Sequence, residues 1–167
     1  VGLHQAANPA TIALHQTTKE TNMPTRIISD IIAGRPLVSG TTEMTVRAAC
    51  RVMAEKKIGA LLIVENSRIA GIFTERDALN KVLAGGLDPD VTQVSQVMVR
   101  DPQTIRADKP LAYALQFMAD GGFRHVPVVD GDGAPLGMVS ARDALGNDMV
   151  QLERDLQFRE HLEENIA

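Results

Sequence analysis

One cysteine, one tyrosine, four phenylalanines and no tryptophan are all that this 167-residue chain holds of those types. A lone cysteine excludes an intrachain disulfide and a thiolate metal cluster. Cys50 falls on a helical apolar stripe and is expected to serve as a small buried hydrophobe rather than a reactive thiol. Charge of one sign is also scarce, since 17 basic against 21 acidic residues leave a formal net charge of −4. Bulk attraction to nucleic acid or to a membrane surface is therefore not expected. No apolar run approaches the roughly 20 residues that a bilayer span needs. Residues 1–22 lack the cationic-then-apolar order of a signal peptide. These absences predict a soluble, cytoplasmic protein. The hydrophobic fraction, 44%, is enough to close a real core and excludes a largely disordered chain.

An internal repeat organises the rest. Ile28, Ser29, Ile31 and Ile32 return 66 residues later as Val94, Ser95, Val97 and Met98. The stripe Val46, Ala49, Cys50 and Met53, spaced for one helix face, returns 65 residues on as Leu111, Ala114, Leu115 and Met118. Thr42 and Asp108 are the expected N-caps of these helices, with Pro110 in a first turn. Short apolar runs follow at residues 60–64 and 126–129, each leading to turn residues and so to a hairpin. The second hairpin is one residue longer and restores the offset to 66, so that Gly71, Ile72, Thr74, Arg76 and Asp77 match Gly137, Met138, Ser140, Arg142 and Asp143. The chain thus reads as two β-α-β-β-α units, an α+β fold. Neither unit is large enough to bury much surface alone, which predicts two small sheets packed with pseudo-twofold symmetry. The expected organisation is a tail over residues 1–22 with Met23 as a natural start, repeats over 23–86 and 87–147, and a terminal amphipathic helix over 148–167 that needs a partner surface.

The strongest local signal is the matched pair Gly-Ile-Phe-Thr-Glu-Arg-Asp, ending at Asp77, and Gly-Met-Val-Ser-Ala-Arg-Asp, ending at Asp143. Ser/Thr-x-x-Asp at a helix start is an acidic capping box, which satisfies orphan N–H groups. The same geometry suits a ligand, because a helix start donates to phosphate and a carboxylate accepts from the paired hydroxyls of a ribose. Two copies in register favour a nucleoside with its sugar at the aspartate. No metal-ligand spacing links His4, His15, His125 and His161.

With the stretch His125-Val126-Pro127-Val128-Val129-Asp130, these motifs resemble a tandem pair of CBS domains, a Bateman module of the standalone bacterial type, over residues 27–147. The resemblance implies a regulatory module that binds adenosyl ligands, AMP, ADP, ATP, NAD(H) or S-adenosylmethionine, in two clefts between the repeats. Carried onto this chain, it implies that Thr74 and Asp77 hold one nucleotide and Ser140 and Asp143 the other. It places the adenine against Ile58, Gly59, Ala60 and Met138 in the Ser140/Asp143 cleft, and against Ile72, Phe123 and Arg124 in the other. Arg124 and His125 stand where phosphate-contacting cations are often placed, and Arg76 and Arg142 are candidates to reach the opposite cleft. The first copy departs from the pattern, with Leu62 and Glu65 where the second has Pro127 and Asp130, so the clefts are not expected to be equivalent. A homodimer and a regulated protein partner are implied as well. Three functions stay open: a non-catalytic nucleotide sensor, a phosphate-transferring enzyme, and a structural dimerisation module with vestigial clefts. The enzyme is disfavoured, since neither a phosphate-cradling Gly-x-x-x-x-Gly-Lys-Ser/Thr loop nor a carboxylate cluster for a metal is visible.

Overall fold

The computed structural model describes residues 26–146; the tail and the terminal helix expected from the sequence lie outside them. Two sheets form, one of four strands in the order β1-β2-β3-β4 and one of three in the order β5-β6-β7. The elements run α1 (Ile28–Ile32), β1 (Ser39–Gly40), α2 (Val46–Lys56), β2 (Ala60–Glu65), β3 (Arg68–Thr74) and α3 (Glu75–Asp77), which widens into a π-helical segment at Ala78–Leu83. The second half adds α4 (Val94–Val97), β4 (Val99–Arg100), β5 (Ile105–Arg106), α5 (Leu111–Gly121), β6 (His125–Val129), β7 (Pro135–Ser140) and a 3-10 turn at Ala141–Ala144. In each half a short strand pairs parallel with the first strand of an antiparallel hairpin. The duplication reaches fine detail: a bulge at Ile63/Val64 recurs at Val128/Val129. The tight turn of the first hairpin rests on Asn66 and Ser67, both at positive φ (49° and 60°), the conformation that matches the twist of the flanking strands.

Each sheet packs one face on its helices. Leu61, Ile63 and Phe73 join Val46, Ala49 and Met53 in one core, and Val126, Val128 and Val139 join Leu111, Ala114 and Met118 in the other. Strand residues alternate between faces. Ala60, Leu62 and Ile72 therefore point away from the first core, and Pro127 and Val129 away from the second, yet all five are buried. The second faces of the sheets lie in the interior between the two repeats.

The segment that enters each repeat belongs structurally to the other. Ile28 is fully buried in the second core, and Ile32 lies 3.6 Å from where a Cβ on Gly137 of β7 would stand. Conversely, Val94 and Val97 of α4 fill the first core, and β4 pairs with β3. The anchoring bonds match too: Ile27 bridges to Pro110, and Gln93 to Thr45.

That crossing explains why the expected helix caps differ. Thr45, not Thr42, caps α2, its Oγ1 accepting from Ala48 N at 3.2 Å, while Thr42 donates to Glu65 Oε1 at 3.0 Å. Asp108 pairs with Arg106, and α5 starts after Pro110 with no side-chain cap. Leu111 N donates instead to Arg26 O of the incoming segment at 2.7 Å. Cys50 is only half-buried on α2 beside the core, and burial pushes its thiol pKa up.

Candidate functional site

A cleft of about 490 Å³ opens between the repeats. Nine of the candidate residues line it: Ile58, Gly59, Ala60, Arg124, His125, Met138, Ser140, Arg142 and Asp143. Its positions follow from the fold. Residues 58–60 lead from α2 into β2, Arg124 and His125 open β6, and Met138 and Ser140 end β7. Matched backbone bonds hold these corners, Glu75 N to Gly59 O at 3.1 Å and Ala141 N to Arg124 O at 2.9 Å.

At the floor, Asp143 Oδ2 accepts from Ser140 N at 2.7 Å and from Ser140 Oγ at 3.1 Å. Its Oδ1 accepts from Arg35 Nη1 at 2.9 Å, and the Arg35 side chain is half exposed. The local element is a four-residue 3-10 turn, not the longer helix that the motif suggests. One turn sums few peptide dipoles, so positive potential here has to come from side chains.

Those side chains are numerous. Arg35, Lys56, Lys57, Arg124 and Arg142 line the cleft against two carboxylates, Glu75 and Asp143. The sequence reading missed Arg35, Lys56 and Lys57; the cleft's proximity to the end of α2 was the only signal for the lysines. His125 lies among these charges. Burial lowers its pKa most, Arg124 and Arg142 lower it further, and Glu75 and Asp143 act against them, so the ring is neutral at pH 7. Gly59 sits where a Cβ would come within 3.1 Å of Glu75 Oε2 and 3.4 Å of His125 Cε1, so a side chain there would press on the cleft wall.

The remaining candidates, Ile72, Thr74, Arg76, Asp77 and Phe123, do not line this cleft. Thr74 and Asp77 form a complete capping box: Asp77 N donates to Thr74 Oγ1, while Thr74 N and Oγ1 donate to Asp77 Oδ2 at 3.0 and 2.7 Å. Asp77 is buried, and Lys81 Nζ sits 2.8 Å from its Oδ1 while donating to Val97 O at 2.7 Å. Arg76 does reach the other repeat, but its Nη1 donates to Gly122 O at 3.3 Å. Ile72 is buried in the sheet between Leu62 and Val99. Phe123 packs beside the second core, its ring filling the space over Gly121.

The two aspartates therefore differ in what a sugar would have to displace. At Asp143, whose side chain is 10% exposed, it is one guanidinium about half exposed. At Asp77, whose side chain is equally 10% exposed, it is an ammonium that also donates to the Val97 carbonyl.

Among the described residues no group of His, Cys, Asp or Glu gathers to hold a metal, and no helix is long and apolar enough to cross a membrane. The family model for the CBS domain matches residues 28–84 and 94–149. The CBS domain-containing protein CBSCBSPB3 of Arabidopsis thaliana is 38% identical over 111 residues, covering 66% of this chain and 20% of that protein. The chain thus spans about a fifth of the length of that relative. A solved CBS-domain protein from Burkholderia ambifaria is 30% identical, with a TM-score of 0.68 over 74% of this chain and 94% of that one. A CBS domain protein from Pyrobaculum aerophilum, solved in complex with AMP, is 26% identical, with a TM-score of 0.67 over 76% of this chain and 96% of that one. With two matched repeats, two small sheets and the paired hydroxyl-aspartate corners in place, the chain belongs to the CBS domain family as a tandem pair.

Proposed function

We propose that this chain is a non-catalytic regulatory module that binds an adenosyl nucleotide in the Ser140/Asp143 cleft and reports energy or redox state to a protein partner. The carrying observation is Asp143 itself, a carboxylate fixed by Ser140 at the floor of an open cleft, with one oxygen held only by a surface arginine. Ribose hydroxyls that replace Arg35 on that oxygen keep its hydrogen bonding intact. The aliphatic wall of Ile58, Ala60 and Met138 suits a purine, and the cations suit its phosphate. AMP bound to the Pyrobaculum relative supports the same class of ligand. Because the cleft draws walls from both repeats, occupancy favours one relative packing of them, and a ligand shifts an equilibrium only between states that it binds unequally.

The reading predicts one nucleotide per chain. Asp143→Ala is expected to abolish binding of AMP and ATP in isothermal titration, whereas Asp77→Ala lowers thermal stability and leaves the Ser140/Asp143 cleft competent. Full affinity in the Asp143 variant means that the ribose assignment is wrong. Bound ATP or NAD(H) is expected to be recovered unhydrolysed after long incubation. A second reading, a structural dimerisation module with vestigial clefts, is favoured by the Arg35–Asp143 and Lys81–Asp77 pairs, which occupy both carboxylates. It predicts no thermal shift with any adenosyl compound, whereas a ligand at a hundred times its Kd stabilises by about 2.7 kcal/mol.

A further inference from the structure

We propose that the Ser140/Asp143 cleft selects a nucleoside di- or triphosphate over a monophosphate or a cationic adenosyl compound, with Lys56, Lys57 and Arg35 as the residues that set the preference. The inference rests on the reading of this cleft as a nucleotide site and names its ligand class. A sugar at Asp143 with its base against Ile58 and Met138 leaves the phosphate end among cations from separate parts of the chain: Arg35 after α1, Lys56 and Lys57 at the end of α2, Arg124 before β6 and Arg142 after β7. Among the described residues only Arg35 of these has an ion-pair partner. With Arg35 paired to Asp143, four cations face the single carboxylate of Glu75 around the cleft, and a polyanion relieves their mutual repulsion. A sulfonium-bearing ligand would add to it.

The end of a helix favours cations for its own sake, so Lys56 alone would have an ordinary explanation. Lys57 has not. It adopts the left-handed conformation (φ 54°) that closes α2, where glycine is the least strained residue. The matched closure of α5 uses Gly122 at φ 66°. A lysine stands at the strained position only in the copy whose helix end faces the cleft. Arg35 completes the arrangement: once ribose hydroxyls take Asp143, its guanidinium is released within the same cleft, free to exchange one anionic partner for another.

The test is a titration of the full chain with ATP, ADP, AMP and S-adenosylmethionine at fixed ionic strength, on wild type and on a Lys56→Ala/Lys57→Gly variant. The expected order is ATP, then ADP, then AMP, with ATP at least about tenfold tighter than AMP, the equivalent of one charge-assisted hydrogen bond. The variant is expected to lose about tenfold toward ATP and to change little toward AMP. Lys57→Gly relieves backbone strain, so an unchanged or raised melting temperature shows that the loss is not unfolding. Equal affinity for AMP and ATP, preference for S-adenosylmethionine, or a loss in the variant that is the same for every ligand overturns the proposal while leaving the nucleotide site standing. Failure of all four compounds to bind wild type overturns the site as well.

Discussion

Burial pushes the His125 imidazole below its ordinary pKa, and the balance of Arg124 and Arg142 against Glu75 and Asp143 around it sets how a ligand will move it. On acidification the unfolded chain takes up a proton near its normal value of about 6.5, while the folded chain resists. Stability is therefore expected to fall as pH drops below about 6.5, and to stop falling below the depressed folded pKa. His125→Gln is expected to flatten that part of the profile, read as urea midpoints across the window. An anionic phosphate beside the ring works in the opposite direction and raises its pKa. Nucleotide binding near pH 6.5 is then expected to take up protons, seen as a dependence of binding heat on the ionisation enthalpy of the buffer. A buffer dependence that is the same in wild type and in His125→Gln would place the phosphate away from His125. Much of this corner was legible in the sequence: Ser140 and Asp143 sit in a pattern that repeats at Thr74 and Asp77, and Arg124 and His125 followed from the family resemblance. Arg35 and Lys57 were not: one reaches the cleft through a crossing of the chain, and the other looks like any charged residue at a helix end.

Elements repeat more faithfully than their ends do. The stripes of α2 and α5 and the strands β2 and β6 followed from apolar spacing, since burying one face imposes that period whatever the local detail. The caps did not follow, because three threonines at 41, 42 and 45 all precede the same stripe. Thr45 wins because the Gln93 bridge holds its backbone extended (φ −71°, ψ 153°), as an N-cap requires. Thr45→Ala is expected to cost about 1 kcal/mol in chemical denaturation. Thr42→Ala, which removes only a surface bond to Glu65, is expected to stay within about 0.5 kcal/mol. Equal costs would mean that the cap contributes nothing beyond its exposed neighbour. The π-helical widening after Asp77 was equally invisible. It accompanies the reach of Lys81 to both Asp77 and the Val97 carbonyl, partners that no local pattern joins.

At the level of the whole molecule, the two repeats of the sequence are not the two packing units of the structure, since each core is completed by the segment that enters the other repeat. The repeat offset showed that Ile28 and Val94 correspond, but correspondence says nothing about which core each fills. A ligand that shifts the repeats must move these crossing segments, and Arg35 lies on the first of them, between α1 and β1. The crossing makes a prediction that a bead-on-a-string pair would not. Ile28→Ala removes a fully buried side chain from the second core and is expected to destabilise by about 2–5 kcal/mol. Its mark in hydrogen exchange is expected on β6 and β7, more than 90 residues away in sequence, before it reaches β2 and β3 next door. Val94→Ala is expected to do the reverse, loosening β2 and β3 while sparing β6 and β7 at first. If Ile28→Ala instead loosens β2 and β3 first, or Val94→Ala loosens β6 and β7 first, the crossed packing is wrong, and with it the route by which a nucleotide at Asp143 would be felt across both repeats.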